Sequence, residues 1–83
     1  MENFGQRIEQ ARIQIAAVKS KVARRDLMVI LRATETAYTR MDQESVECRR
    51  LGRITTRYDE LYQNCKIMVE NLERHITFAS LLP

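Results

Sequence analysis

The chain has 83 residues, of which 45% are hydrophobic and 30% are charged, and its formal net charge is +3. This length allows one small domain, and the apolar content is too high for a disordered tail. The longest uninterrupted apolar run covers only residues 27–31, whereas a membrane-spanning helix needs about 20 apolar residues, so we expect no membrane insertion.

The cysteine content indicates a reducing compartment. Cys48 and Cys65 are too few for a disulfide scaffold, and neither belongs to a CxxC pair. Both fall on apolar positions of predicted helices, where a thiol behaves as a small hydrophobic group. The sequence therefore predicts two buried free thiols and a cytoplasmic or nuclear location.

The first predicted helix covers residues 3–23. Its apolar residues recur at alternating spacings of four and three, which is typical of an amphipathic helix: Phe4, Ile8, Ala11, Ile15, Val18 and Val22. Lys19, Lys21, Arg24 and Arg25 would then complement the negative end of the helix dipole in the last turn. Asp26 is the predicted N-cap of the next helix.

The second predicted helix covers residues 27–50, and its end is well marked. Arg49 and Arg50 fall in its last turn, and Gly52 suits the left-handed position that follows a helix. Thr56 is the predicted cap of a third helix over residues 56–79, with acidic residues in its first turn.

An unusually broad apolar stripe runs from Leu51 through the third helix to Ala79. Leu51, Tyr58, Cys65, Leu72 and Ala79 recur every seven residues, and two neighbouring series widen the stripe: Ile54, Leu61, Met68 and His75, and Thr55, Tyr62, Val69 and Ile76. A stripe of this width packs against two neighbouring helices rather than one.

These elements predict an all-α fold, an antiparallel three-helix bundle with helices of matched length forming a single helical domain over residues 1–83. Residues 1–25 have a net charge of +4 and residues 26–47 a net charge of −3, which favours antiparallel packing of the first two helices. The alternative is a long helical hairpin with coiled-coil packing, because the seven-residue register continues through Gly52 and a glycine within a helix costs only about 1 kcal/mol.

No residue pattern indicates catalysis. The only histidine, His75, lies ten residues from Cys65, which is about 15 Å along a helix and too far for a nucleophile and its base. The sequence has no HExxH, no CxxC and no glycine-rich phosphate loop. We expect a protein that is not an enzyme and that takes no cofactor, metal or small-molecule substrate.

An arginine series, Arg49, Arg53 and Arg57, is the strongest local charge anomaly. Within one continuous helix these like charges would lie on one face and destabilise it. They could be solvated, or balanced by Glu44, Glu47 and Glu60, or they could face an acidic stripe on a partner protein. Nucleic acid is disfavoured, because a phosphate-binding surface usually needs a larger excess of cations than +3.

Taken together, the sequence predicts a non-enzymatic helical interaction protein, a small coiled-coil subunit or adaptor of a larger assembly, in a hetero-oligomer or homodimer with other helical proteins. The apolar tail, residues 76–83, should be covered by a partner. The predicted partner contacts are Tyr58, Leu61, Tyr62, Met68, Leu72, Ile76 and Phe78, with Arg49, Arg53 and Arg57 setting orientation. The alternatives are a small chaperone holding a helical client and, more weakly, a nucleic-acid binder acting through residues 48–57.

Overall fold

The computed structural model describes residues 3–82 and contains three helices: α1 (Phe4–Ala16), α2 (Lys21–Leu51) and α3 (Thr56–Ser80). Each helix packs against the other two, which confirms the three-helix bundle. Met1, Glu2 and Pro83, which belong to the predicted domain and tail, lie outside the described residues.

The helices run in alternating directions along the chain. Arg12 of α1 pairs with Glu35 of α2, and Arg57 at the start of α3 lies 3.5 Å from Glu44 near the end of α2. α1 runs parallel to α3. Phe4 packs against Tyr62, and Arg7, which lies further along α1, pairs with Glu73, which lies further along α3. The ion pair between Arg12 and Glu35 joins the oppositely charged segments that the sequence sets side by side.

The core lies between all three helices. Its buried members come from one face of each helix, together with Val18 of the turn between α1 and α2. The helical members are Phe4, Ile8, Ala11 and Ile15 of α1, Leu27, Leu31 and Ala37 of α2, and Cys65, Val69, Leu72, Ile76 and Ala79 of α3. The stripe of α3 therefore contacts two neighbouring helices.

The junction between the first two helices lies earlier than the sequence predicts. The prediction of a first helix over residues 3–23 and an N-cap at Asp26 is wrong, because α1 ends at Ala16 and Ser20 caps α2. The Ser20 hydroxyl accepts a hydrogen bond from the Ala23 N–H at 3.2 Å. Arg24 donates to the carbonyls of Val18 and Lys19 and so ties the turn to α2.

The prediction of matched helix lengths is also wrong. The helices have 13, 31 and 25 residues, so α1 is about 20 Å long and α2 about 46 Å. Residues 39–61, the far ends of α2 and α3 with their connecting turn, extend beyond α1 as a two-helix arm. The molecule is accordingly elongated, with dimensions of 50 × 17 × 14 Å.

Gly52 ends α2, which excludes the continuous helix. Its φ of 70° is left-handed, the Gly52 N–H donates to the Arg49 carbonyl at 3.3 Å, and the Arg53 N–H donates to the Cys48 carbonyl at 3.2 Å. Thr55, not the predicted Thr56, caps α3, and its hydroxyl accepts from the Tyr58 N–H at 3.0 Å.

Substitution of Gly52 by alanine tests this turn. A Cβ at Gly52 would meet no atom within 4 Å, so the cost is backbone strain alone. We expect Gly52→Ala to lower the free energy of unfolding by about 1–2 kcal/mol, measured by urea denaturation. Gly52→Asn is the control and should lose less, because asparagine tolerates the left-handed region. Equal losses in the two variants would contradict a left-handed residue here.

Candidate partner-binding site

The predicted contact residues of α3 divide between the core and the surface. Leu72 and Ile76 are buried in the intramolecular core, and Tyr62 and Met68 are partly buried against it. Tyr58 and Leu61 lie on the arm, where both are half-buried. Phe78 points outward with 72% of its surface exposed. Of the predicted apolar contacts, Phe78 is therefore the most available to a partner.

A groove runs between α2 and α3 at the end of the bundle remote from Gly52. It encloses about 530 Å³, and no residue of α1 lines it. We refer to it as the α2–α3 groove and define it by its lining: Ala23, Asp26, Leu27 and Ile30 of α2, and Arg74, His75, Phe78, Ala79 and Leu82 at the end of α3.

The walls of the α2–α3 groove are apolar and partly unpacked. Leu27 and Ala79 are buried at its base, and Ile30 is half-buried. Phe78 and Leu82 remain exposed along the α3 side. Exposed apolar side chains that converge on one concave surface are typical of a site that contacts another protein.

Charged groups of opposite sign flank this apolar surface. Asp26 stands on the α2 side, and Arg74 on the α3 side. Within residues 3–82, neither side chain forms a salt bridge. His75 lies between them, and its Nδ1–H donates to the Asn71 carbonyl at 2.8 Å. The groove thus has an acidic edge and a basic edge.

The arginine series surrounds the turn at the end of the arm. Arg50 pairs with Glu47, and Arg57 lies 3.5 Å from Glu44, whose carboxylate also accepts from the Thr55 hydroxyl at 2.8 Å. In the described part of the chain, Arg49 and Arg53 have no carboxylate within 4.0 Å. Both line a shallow hollow of about 430 Å³ that also includes Ile54.

The Cys65 thiol and the Tyr58 hydroxyl are held in their neutral forms rather than activated. Burial raises the pKa of the Cys65 thiol, against a smaller opposing effect of the Arg7 charge. Burial also raises the pKa of the Tyr58 hydroxyl, and Cys48 and Tyr62 add to that shift. A reactive cysteine needs a lowered pKa and access to solvent, and Cys65 has neither.

Sequence reasoning missed the α2 side of the groove. The predicted junction near residue 26 puts Asp26 at a helix boundary, which hides the surface that it forms with Ala23 and Ile30 on α2. The five-residue apolar run was the available signal. Consecutive helical residues point in different directions, so such a run cannot face one core, and Val29 within it is 66% exposed.

None of the three helices is long and apolar enough to cross a membrane, as judged over residues 3–82. Over the same residues, no group of three or more His, Cys, Asp or Glu side chains could hold a metal ion. Comparison of the chain with protein-family models, with curated proteins and with solved structures gives no match.

Proposed function

We propose that this chain is a non-enzymatic interaction protein that binds an amphipathic helix of a partner chain in the α2–α3 groove. The observation that carries the proposal is the open groove itself, with Phe78 72% exposed beside a base formed by Leu27 and Ala79. A helix that lays apolar residues between α2 and α3 would remove these side chains from water, at about 25 cal/mol per Å² of apolar surface.

The rest of the fold supports a scaffold or adaptor role. The three helices already bury their own core, so the partner adds to a formed bundle. The arginines at the end of the arm provide a second contact, in which Arg49 and Arg53 face acidic residues of the assembly and set its orientation. The two free cysteines support a location in a reducing compartment, the cytosol or the nucleus.

Photocrosslinking from the groove tests the proposal. A photoreactive phenylalanine replaces Phe78 in the full chain, which is irradiated in the cells that make it. We expect a discrete adduct whose partner peptide maps to one amphipathic helix. A second variant carries the same group at Ile13, which is exposed on α1 outside the groove, and should not form that adduct.

Introducing a charge into the groove by substitution is the matching control, because it should prevent the partner from binding. Ile30→Asp places a carboxylate on the apolar surface at a half-buried position, so it should abolish the adduct from position 78. Circular dichroism must show that this variant keeps its helix content. Equal adducts from positions 78 and 13, or an adduct that survives Ile30→Asp, would exclude the groove as the binding site.

A further inference from the structure

We propose that the occupant of the α2–α3 groove is the same groove of a second copy of this chain, related to the first by a two-fold axis parallel to the helices. This inference rests on the proposed function, since it uses the same site and names the partner. The charges on the groove edges select this axis, and the directions of the helices are compatible with it.

The edge charges make the groove complementary to itself. Asp26 lies on the α2 edge and Arg74 on the α3 edge of one short groove, and neither has an ion pair within residues 3–82. A two-fold axis that runs along the groove exchanges its edges. The acidic edge of one copy then faces the basic edge of the other, and two symmetric pairs of Asp26 with Arg74 form.

The other face-to-face arrangement is disfavoured by the same charges. A two-fold axis perpendicular to the helices keeps each edge on its own side, so that Asp26 faces the acidic edge of the second copy and Arg74 the basic edge. Like charges set against each other across an interface are costly. The edge charges therefore select the axis parallel to the helices.

Helix directions agree with this axis. Within one copy α2 and α3 are antiparallel, and the proposed axis places α2 of one copy over α3 of the other. Each helix then has antiparallel neighbours both within its own chain and across the interface, as in an antiparallel four-helix bundle. The positive end of each helix dipole lies beside the negative end of its neighbour.

The molecule is narrow, so the face available to a second copy is small. The molecule extends 50 Å along the helices and 17 Å across. Only contact along this whole outline would approach the ~800 Å² that each partner contributes to an interface of standard size, and the groove occupies one end of it, so we expect a dimer in equilibrium with monomer. The apolar groove would form the centre of the interface, and the charged edges its rim.

Charge exchange tests the inference on the purified full chain. Sedimentation equilibrium and light scattering over a range of concentrations should show a monomer–dimer equilibrium for the wild type. We expect Asp26→Arg and Arg74→Asp each to raise the dimer dissociation constant by about tenfold or more, because each creates two like-charge contacts. The double variant should return to within about threefold of the wild type, since it restores both pairs with reversed polarity.

Two controls accompany these variants. Arg32→Asp changes the net charge as Arg74→Asp does, but Arg32 is an exposed residue of α2 that does not line the groove, so dimerisation should not change. Circular dichroism must show the same helix content in every variant, and all the substituted positions are exposed.

Three results would overturn the inference. They are a chain that stays monomeric at every concentration, a dimer that ignores both single substitutions, and a double variant weaker than either single one. If the chain is monomeric while position 78 crosslinks a different protein in cells, the inference fails and the proposed function stands. If position 78 gives no specific adduct, both fail.

Discussion

Replacement of Leu72 by alanine is expected to lower the free energy of unfolding by about 2–5 kcal/mol. Leu72 is fully buried in the middle of the α3 stripe, within the core shared by the three helices. Truncation removes apolar contacts and leaves a cavity that close-packed neighbours fill only in part. For a chain of this size the loss is a large fraction of the whole stability, and the melting temperature should fall by about 8 °C or more.

Leu51→Ala is the matched control for this prediction. It makes the same chemical change at an exposed residue of the last turn of α2, far from the α2–α3 groove, and should cost less than about 0.5 kcal/mol. Both variants should be compared by urea denaturation at one protein concentration. A Leu72→Ala protein as stable as Leu51→Ala would mean that the stripe of α3 is not packed inside the molecule.

Phe4→Ala is expected to cost about 3–5 kcal/mol and to release α1 from the bundle. Phe4 is only 2% exposed although it is the first residue of α1, and its ring lies 5.2 Å from the ring of Tyr62. The Arg7 guanidinium lies 5.9 Å from the Phe4 ring centroid and pairs with Glu73 beyond it. A helix of 13 residues is barely stable in isolation, so loss of its anchor should leave it without helical structure.

Tryptic digestion followed over time distinguishes this release from general unfolding. In Phe4→Ala the bonds after Arg7 and Arg12 on α1 should be cut before the bond after Arg32 within α2. Phe4→Leu keeps most of the buried volume and should lose less than about 1.5 kcal/mol, with cleavage close to that of the wild type. Simultaneous cleavage of α1 and α2 in Phe4→Ala would show that α1 does not dock as a separate unit.

The sequence was sufficient for the all-α fold class, and it favoured a break at Gly52 without excluding a helix that continues through it. Periodicity reveals which face of a helix is apolar, and a glycine after a basic last turn marks a helix end. The break before Ser20 could not be found this way, because Val18 keeps the apolar spacing across the turn and is itself buried. The turn depends on the Ser20 cap and on Arg24, whose bonds to backbone carbonyls leave no trace in hydrophobic periodicity.

The candidate site was only partly predictable for a related reason. An apolar stripe indicates that a helix face is buried, but it does not say whether the neighbour belongs to the same chain. Leu72 and Ile76, predicted as partner contacts, lie in the intramolecular core. Phe78 belongs to none of the three seven-residue series, and it lies on the outward side of α3 beside Ala23 and Leu27 of α2.

The arm formed by residues 39–61 buries few side chains, and this makes its local unfolding easier than that of the three-helix part. Among those residues Cys48 is the one buried side chain, whereas every other buried residue belongs to the part that α1 covers. Local opening costs little free energy where few apolar contacts are lost. The arm can therefore unravel from its tip while the three-helix part stays closed, so its backbone amides exchange their hydrogens with solvent long before those around Leu31 and Leu72.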